Sequence, residues 1–352
     1  MRRVEADQLT AFVASLFRAL RLPPRDARLC AELIVLQEMR GIVTHGLRRV
    51  APNLDGLRRG VMNPRPRRRV LRDRGAVTVL DGDFGIGMIG CMAAMDAAIR
   101  KARAFGLGIG LVARNNHFLS AAPYVLRAAE QGMVGLACSN TQASMGYPGA
   151  AGRVIGNSPL GFAVPSGNGA PIVFDAALTT SGGKLAEWIR EGRTIAAELA
   201  GLDARGRFTR DPQAVLHGGT PWPIGGHKGA GLAVLVEVLT GVLSGGAFLG
   251  GIVPPEQRSD PDAGESQCCI AIHVGHFMPL ADFHARIRRF AADLKRRPRA
   301  RRGGKILLPG ERSARSVAAA RERGVSVAPD VRAELLRWAG ELGVPAPFKP
   351  ET

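Results

Sequence analysis

Hydrophobic residues divide the chain into a helical start, an alternating middle and a helical end. Apolar positions recur at three- and four-residue steps over 5–20 and 26–40, which is typical of amphipathic helices. A third period of this kind starts at Leu47, and we predict a helix there that is capped by the Thr44 hydroxyl. From residue 75 onwards, short apolar runs typical of strands alternate with helical patterns.

This alternation predicts a layered α/β domain. Strands are predicted at 76–80, 108–112, 133–138, 162–164, 171–174 and 268–274, and helices at 91–104, 121–131, 229–243, 280–294, 312–323 and 330–342. Alternating elements of this type favour helices packed on a sheet. We therefore predict an α/β domain at 75–310 and a helical domain at 1–74, onto which 311–352 packs back. The basic segment 61–74 is expected to be a linker.

The composition is that of a folded chain. With 352 residues, of which 46% are hydrophobic, the chain can bury the cores of two domains. No apolar run reaches the roughly 18 residues of a membrane span, and Glu5 and Asp7 exclude a signal peptide at the first helix. The five cysteines are odd in number and lack a CxxC spacing, so we expect no disulfide framework, no metal site and a cytoplasmic location.

The net charge of +18 raises the possibility of a nucleic-acid partner. Much of the excess lies in two runs, 64–74 and 295–305, and neither contains aromatic residues. Aromatic residues make up 5% of the chain, so platforms on which bases stack are scarce. We interpret the runs as solvated surface and expect nonspecific nucleic-acid binding at most.

The stretch from Arg40 to Arg49 offers the first candidate chemistry. If it forms a helix start, His45 and Arg49 share one face, because they lie four residues apart. An imidazole exchanges protons near neutral pH, and a guanidinium grips a carboxylate with two parallel hydrogen bonds. The pair would suit a small carboxylic acid; the alternative is a solvated helix start with an ordinary histidine.

A glycine-rich turn at Gly85–Gly90 matches the GxGxxG pattern of dinucleotide-binding Rossmann units. Such a unit needs an acidic residue about 20 positions further on, at the end of the next strand. That strand ends in Arg114-Asn115-Asn116-His117, which contains no carboxylate. The sequence therefore favours glycine packing over a Rossmann site.

Three further positions are ambiguous on their own. His117 lies where a strand meets a helix and could be a second acid or base, or a turn histidine. Lys228 follows two glycines at a helix start, which suits either a phosphate or a simple turn. Asp175 ends a strand and could bind ribose hydroxyls or stabilise a turn.

Taken together, the motifs resemble those of one family. They are Arg40–Gly46 with Arg49, Asn116–Phe118, Gly156–Pro159, Asp175–Ala177, Gly225–Gly229 and Leu308–Glu311. In this order and at these spacings, the chain resembles, nearly from end to end, the malate/L-lactate/sulfolactate/ureidoglycolate dehydrogenase family of NAD(P)-dependent oxidoreductases. The resemblance implies a non-Rossmann, sulfolactate-dehydrogenase-like fold: a mostly antiparallel mixed sheet holds NAD or NADP, helices from both chain ends form the other domain, and the protein is a homodimer.

The resemblance also implies roles for individual residues. His45, with Thr44 beside it, matches the family's proton donor, and Arg49 matches its carboxylate-binding arginine. His117 matches a second histidine that some members are thought to use as the acid. The implied cofactor contacts are Phe118, Leu119, Ser120, Ala121, Ala122, Asp175, Ala176, Ala177, Lys228, Leu308, Pro309 and Gly310.

The implied substrate is a small 2-oxo or 2-hydroxy carboxylic acid, with Asn157 and Lys184 on its wall. Lys184 stands where imine-reducing members tend to carry Asp, which favours 2-oxo acids over cyclic imines. Asn53 replaces the family's usual Tyr, Asn157-Ser158 replaces Thr-Asn, and the loop 175–184 is about one residue short. The rival interpretations are a cyclic imine reductase, or a catalytically weakened member that binds nucleic acid nonspecifically.

Overall fold

The computed structural model describes residues 3–167, 169–181, 184–258, 263–299 and 304–348. Its α-helices are α1 (Ala6–Ala19), α2 (Pro24–Met39), α3 (Val50–Arg58), α4 (Gly87–Phe105), α5 (Ala122–Ala129), α6 (Leu185–Arg190), α7 (Pro212–Leu216), α8 (His227–Glu237), α9 (Leu280–Lys295), α10 (Glu311–Arg323) and α11 (Pro329–Leu342). Its strands are β1 (Arg3–Val4), β2 (Arg69–Arg74), β3 (Val77–Asp81), β4 (Leu107–Asn115), β5 (Met133–Ser139), β6 (Leu160–Val164), β7 (Ile172–Ala176), β8 (Gly201–Leu202), β9 (Phe208–Thr209), β10 (Glu265–His273) and β11 (Val325–Ser326).

The central element is a seven-stranded mixed sheet in the order β2-β3-β4-β10-β5-β6-β7. The pair β3–β4 is parallel, and the other neighbouring pairs are antiparallel. The α/β class and the mostly antiparallel mixed sheet are thus confirmed. This order differs from the parallel sheet of a Rossmann unit.

Helices cover both faces of the sheet, because successive strand residues point to opposite sides. On β4 and β10, Val112 and Cys269 pack into the core shared with α4 and α5, whereas Leu111 and Cys268 pack with α8 on the other face. Helix α4 comes very close to β4: a Cβ at Gly110 would lie 1.9 Å from the carbonyl oxygen of Ala94.

Both chain ends contribute to one helical layer. Strand β1 pairs with β11 near the other end of the chain, and α11 contacts α1 and α3. Trp338 of α11 is fully buried, and the guanidinium of Arg58 lies over its ring at 4.3 Å. Helices from both ends therefore meet as expected, while domain boundaries at 74/75 and 310/311 remain a prediction.

The interpretation of 61–74 as a linker is wrong for its second half. Residues Arg69–Arg74 form the edge strand β2, paired with β3, with all six residues exposed. A run of basic side chains suits such an edge, because charge discourages pairing with another chain.

Candidate active site

A cavity of about 600 Å³ lies between the start of α3 and one end of the sheet. Five of the predicted catalytic and substrate residues line it: Thr44, His45, Arg49, His117 and Asn157. Three distant parts of the chain thus meet here. The cavity is the natural candidate for the reaction site.

The backbone at residues 43–49 differs from the predicted helix start. Two 3₁₀ turns, Val43–His45 and Leu47–Arg49, precede α3, and the Thr44 hydroxyl does not cap a helix. Instead, the backbone N–H of Leu47 donates to the Glu38 carboxylate at 2.9 Å. A Cβ at position 46 would lie 2.1 Å from the same carboxylate, so Gly46 is required for this close approach. The prediction of a Thr44 cap is therefore wrong, although His45 and Arg49 still reach the same cavity.

Local hydrogen bonds fix the side chains of this segment. Thr44 Oγ1 lies 3.0 Å from His45 Nδ1, and Arg49 Nε donates to the Thr44 carbonyl oxygen at 3.1 Å. Asn53 is buried, and its amide donates to the Arg49 carbonyl oxygen at 2.6 Å. Among the described residues, the terminal nitrogens of Arg49 have no hydrogen-bond acceptor. This leaves the guanidinium fork available on the cavity wall.

His117 follows β4 and stacks on His45. The ring centroids are 5.7 Å apart, and the rings are inclined by 16°. The N–H of Leu119 donates to His117 Nδ1 at 3.2 Å, so the neutral ring carries its proton on Nε2. Leu119 has a φ of +74°, an unusual conformation for a non-glycine residue and one that brings its N–H to the ring.

Both imidazoles are held in the neutral form. Burial, and then the nearby Arg49, lower the pKa of His45 to about 4. Burial, Arg49 and His45 hold the pKa of His117 well below its ordinary value. Two stacked rings beside a guanidinium resist protonation because each added charge repels those already there.

Sequence reasoning missed Glu265 and Arg258, which also line the cavity. Glu265 is the first residue of β10, opposite Asn115, and its Oε2 is shielded from solvent without a hydrogen-bond partner. Burial raises the pKa of Glu265 to about 7, against the opposing effects of Arg258 and Arg49. Neither residue belongs to a recognisable motif. Only the fold brings them here, with Glu265 at the start of β10 and Arg258 Nη2 donating to the Asn116 side-chain oxygen at 3.2 Å.

The loop after β5 supplies polar groups that were also missed. Thr141, Gln142 and Ser144 line the cavity. Thr141 Oγ1 donates to the Asn157 side-chain oxygen at 3.0 Å, and the Asn157 N–H donates to Ser144 Oγ at 3.2 Å. A polar run directly after a buried strand was the available signal for this loop.

The predicted cofactor residues gather around β7. The N–H groups of Ala121 and Ala122 donate to the Asp175 carboxylate at 3.3 and 2.9 Å, so Asp175 stabilises the start of α5. Burial raises the pKa of Asp175, and these contacts and Arg40 oppose the rise. On the other side of β7, the Val173 N–H donates to the Pro309 carbonyl oxygen at 3.0 Å.

The residues in this group differ in accessibility. Phe118, Leu119, Ser120, Ala121, Ala122 and Leu308 are buried, Asp175, Ala176, Ala177 and Gly310 are partly buried, and Pro309 is exposed. The Phe118 ring stacks on Tyr124, with 5.5 Å between centroids. The buried side chains act in packing, so a ligand at this segment would meet mainly its backbone.

Lys184 and Lys228 are exposed and do not line the cavity. Lys184 immediately precedes α6, and Lys228 lies in the first turn of α8 after Gly225 and Gly226, both of which have positive φ. The segment that follows β7 contacts the turn that precedes α8, because the Ile224 N–H donates to the Leu178 carbonyl oxygen at 2.9 Å. The assigned roles of both lysines remain predictions.

The glycine-rich turn Gly85–Gly90 is filled by protein. A Cβ at Gly87 would lie 2.0 Å from the Asn116 carbonyl oxygen, and one at Gly90 would lie 2.5 Å from the Asn115 amide. The Asn116 amide donates to the carbonyl oxygens of Phe84 and Gly85, both at 2.9 Å. The turn thus packs against the segment that holds His117, in agreement with the packing interpretation.

The described residues also bear on metal ions, membranes and nucleic acids. These residues contain no group of three or more His, Cys, Asp or Glu side chains suited to a metal ion. No described helix is both long and apolar enough to cross a membrane. The basic run 64–74 lies at the sheet edge, whereas 300–303 of the second run fall outside the described residues. Nonspecific nucleic-acid binding remains a prediction.

Comparisons with known proteins agree with the fold. The model of the malate/L-lactate dehydrogenase family matches residues 4–336. A malate dehydrogenase of Pyrococcus abyssi is 31% identical over 350 residues, which cover 97% of this chain and 95% of the relative. A Delta(1)-pyrroline-2-carboxylate/Delta(1)-piperideine-2-carboxylate reductase of Pseudomonas syringae pv. tomato is 34% identical over 247 residues, covering 70% of this chain and 71% of the relative. The solved sulfolactate dehydrogenase of Methanocaldococcus jannaschii has a TM-score of 0.90 at 28% identity, with 97% of this chain and 98% of that chain covered.

Proposed function

The chain belongs to the malate/L-lactate dehydrogenase family of oxidoreductases, and we propose that it transfers a hydride between NAD or NADP and a small 2-oxo or 2-hydroxy carboxylic acid. The observation that carries the proposal is the meeting of His45, Arg49 and His117 on the wall of one cavity. These residues supply a carboxylate-binding group beside two proton-exchanging groups, which is what the reaction needs.

Arg49 binds the substrate carboxylate. Its Nε is held by the Thr44 carbonyl oxygen, so the orientation of the guanidinium is set before the substrate arrives. The terminal nitrogens, which have no acceptor among the described residues, offer the two parallel donors that a carboxylate accepts. The hydrogen bond from Asn53 to the Arg49 carbonyl oxygen supports the same turn.

The histidine pair handles the proton. In the reduction, His45 or His117 gives a proton to the carbonyl oxygen as a hydride reaches the adjacent carbon; in the oxidation, the neutral ring accepts it back. Arg49 is one cause of the low pKa of both rings. A substrate carboxylate on Arg49 offsets that charge, so substrate binding raises the pKa of the imidazoles towards the range of a useful acid.

A bound nicotinamide cofactor supplies the hydride. Asp175–Ala177, the backbone of Phe118–Ala122 and the segment Leu308–Gly310 would hold it, because all three meet around β7. Lys228 at the start of α8 fits a phosphate group, since its charge and the helix N-terminus are both positive. The donor set therefore suits a dinucleotide placed away from Gly85–Gly90.

Exposed apolar residues and the state of the cysteines support a homodimer in a reducing compartment. On α8 and the turns after it, the apolar side chains of Leu232, Leu235, Leu243 and Phe248 are exposed. Exposed apolar groups of this extent are typical of a protein interface, and a second copy of the chain is the proposed occupant. The five cysteines are free and buried, which is consistent with the cytoplasm.

A second candidate is the reduction of cyclic imines. The reductase of P. syringae, 34% identical over 247 residues, favours it. Arg49 would bind the carboxylate of either substrate, and the protonated product would be an amine instead of an alcohol. The feature that weighs against this candidate is Lys184, which stands where imine-reducing members tend to carry Asp.

The test is an assay of NADH and NADPH oxidation with a panel of 2-oxo acids and with Δ1-piperideine-2-carboxylate. The proposal expects turnover of at least one 2-oxo acid, and faster turnover of it than of the imine. Turnover of the imine alone would favour the second candidate. Absence of turnover with every compound and both cofactors would contradict both.

A further inference from the structure

The cavity that is proposed to bind a substrate carboxylate is also lined by the carboxyl group of Glu265. Glu265 lies on the same wall as Arg49 and Arg258. Each of Glu265 and Arg49 shifts the pKa of the other in the direction expected of opposite charges, so the two interact. The proposed substrate would place a second carboxylate beside the same guanidinium.

The carboxyl of Glu265 is not used by the fold. Among the described residues, neither of its oxygens accepts a hydrogen bond or joins an ion pair, and Oε2 is shielded from solvent. The other carboxylate of the cavity, Asp55, differs in this respect, because it is partly exposed and pairs with Arg58 and Arg59 at 3.2 and 3.4 Å. Glu265 is partly buried, and a carboxylate with a shielded oxygen and no partner is costly while it is charged, which makes Glu265 responsive to a change of charge in the cavity.

We propose that Glu265 is a substrate-specificity residue that takes up a proton from solvent as the substrate carboxylate docks on Arg49. While ionised, Glu265 competes with the substrate for the guanidinium and repels its carboxylate. Once protonated, it no longer repels the substrate and becomes a hydrogen-bond donor to it. The inference rests on the proposed function for the site, and it concerns binding and not hydride transfer.

The other charged groups around Glu265 respond in ways that a Glu265 variant can separate. In the free protein, burial and then Arg49 hold the pKa of His45 and of His117 below its ordinary value. Any proton that these rings gain when the substrate docks would still be gained after Glu265 is replaced. The arginines on the wall, Arg48, Arg49, Arg59 and Arg258, stay charged. Burial places the pKa of Glu265 near 7, so its charge changes within the range where a carboxylate substrate is already ionised.

The test measures binding of oxamate, a stable analogue of a 2-oxo acid, to the cofactor-loaded protein between pH 6 and 9. For wild type we expect the affinity to fall by up to about tenfold per pH unit above pH 7. Calorimetry in two buffers of different ionisation enthalpy should show uptake of up to one proton per oxamate at pH 8. This second readout needs no variant.

Glu265→Gln keeps the shape of the side chain and removes its charge. In this variant, the fall in oxamate affinity above pH 7 and the proton uptake at pH 8 should both be clearly smaller than in wild type, and what remains is the contribution of the two histidines. Asp55→Asn is the matched control, since it removes the other cavity carboxylate and should keep the wild-type pH dependence. Thermal melts of both variants establish that they fold.

The outcomes separate this inference from the proposed function. Turnover of a 2-oxo acid together with pH-independent oxamate binding, or an unchanged pH dependence in Glu265→Gln, would overturn the role of Glu265 alone. Proton-linked oxamate binding without turnover of any 2-oxo acid would overturn the proposed function and leave the role of Glu265 standing. No oxamate binding at pH 6 would overturn the inference directly.

Discussion

Two stretches of this chain carry functional motifs, and they differ in what surrounds them. Around Gly85–Gly90, neighbouring backbone and side chains fill the space that each glycine leaves, and Asn116 binds two of the turn's carbonyl groups. Around His45 and Arg49, polar groups face a cavity of about 600 Å³ and keep unused hydrogen-bonding capacity. A motif indicates a site only where its groups have space and no other partner.

The two stretches are nevertheless connected. The glycines allow the start of α4 to lie against Asn115–His117, with Gly87 closest to the Asn116 carbonyl oxygen. The Asn115 amide also donates to the Gly87 carbonyl oxygen at 3.1 Å. The turn therefore positions the segment that carries His117 and, on this account, contacts no phosphate. Four experiments test this contrast between the two stretches.

Removal of an imidazole should have the largest effect. We expect His45→Ala or His117→Ala to lower kcat for a 2-oxo acid by about 10²–10⁴-fold, because a positioned proton donor is lost. Steady-state kinetics and cofactor titration check this, and cofactor affinity should change little. His276→Ala, which removes an exposed imidazole elsewhere, is the control. The variant with the larger loss identifies the acid; near-normal kcat in both would refute the assignment.

Replacement of Arg49 should have the next largest effect. Arg49→Lys should raise KM for the 2-oxo acid by about 10–100-fold, since an ammonium cannot copy two parallel hydrogen bonds and charged hydrogen bonds are worth about 1.5–3 kcal/mol. The matched control is Arg48→Lys, because Arg48 is paired with Asp330. Equal KM values in the two variants would contradict the role of Arg49.

The pH profile of the oxidation should show a smaller effect. The base must be neutral, and burial with Arg49 lowers the pKa of His45 to about 4. Since a group with a lowered pKa stays neutral as pH falls, kcat/KM for a 2-hydroxy acid should not decline between pH 8 and 6. An ordinary histidine would leave about one quarter of the sites neutral at pH 6. A decline of that size would contradict a buried, neutral base.

The smallest effect on catalysis is expected at the glycine turn. In Gly85→Ala the new Cβ would lie 2.7 Å from Pro66 Cγ, so we expect a stability loss of about 1–3 kcal/mol and unchanged cofactor affinity. Lys228→Ala should instead weaken cofactor binding by about tenfold, at the lower end for a charged hydrogen bond. If cofactor binding were weaker in Gly85→Ala and unchanged in Lys228→Ala, the Rossmann interpretation would be correct after all.

The spacing of apolar residues predicted most strands well, because the residues that these strands bury follow the same spacing. Strands β3 to β7 and β10 lie where alternating or continuous apolar runs placed them, with ends shifted by a few residues. The strand Arg69–Arg74 escaped because an exposed edge strand needs no apolar face. The prediction of a Thr44 cap failed because the Glu38 carboxylate, which lies nine residues earlier in the sequence, accepts the hydrogen bond from the Leu47 N–H.

The sequence predicted the chemistry of the site, but it did not reveal all the residues that line the cavity. His45 and Arg49 were recognisable by residue type and spacing, although not by the helix first assumed. Glu265 and Arg258 were not, because their role depends on packing against residues more than a hundred positions away. An isolated Glu in a polar stretch gives no local sign that burial will raise its pKa.

The most direct test of the account is a crystal structure with NADH or NADPH and oxamate bound. We predict the oxamate carboxylate on the terminal nitrogens of Arg49, its carbonyl oxygen facing His45 or His117, and the cofactor along Asp175–Ala177 and Lys228. Cofactor phosphates on the Gly85–Gly90 turn, or oxamate bound away from Arg49, would contradict the central claim that this cavity is the active site.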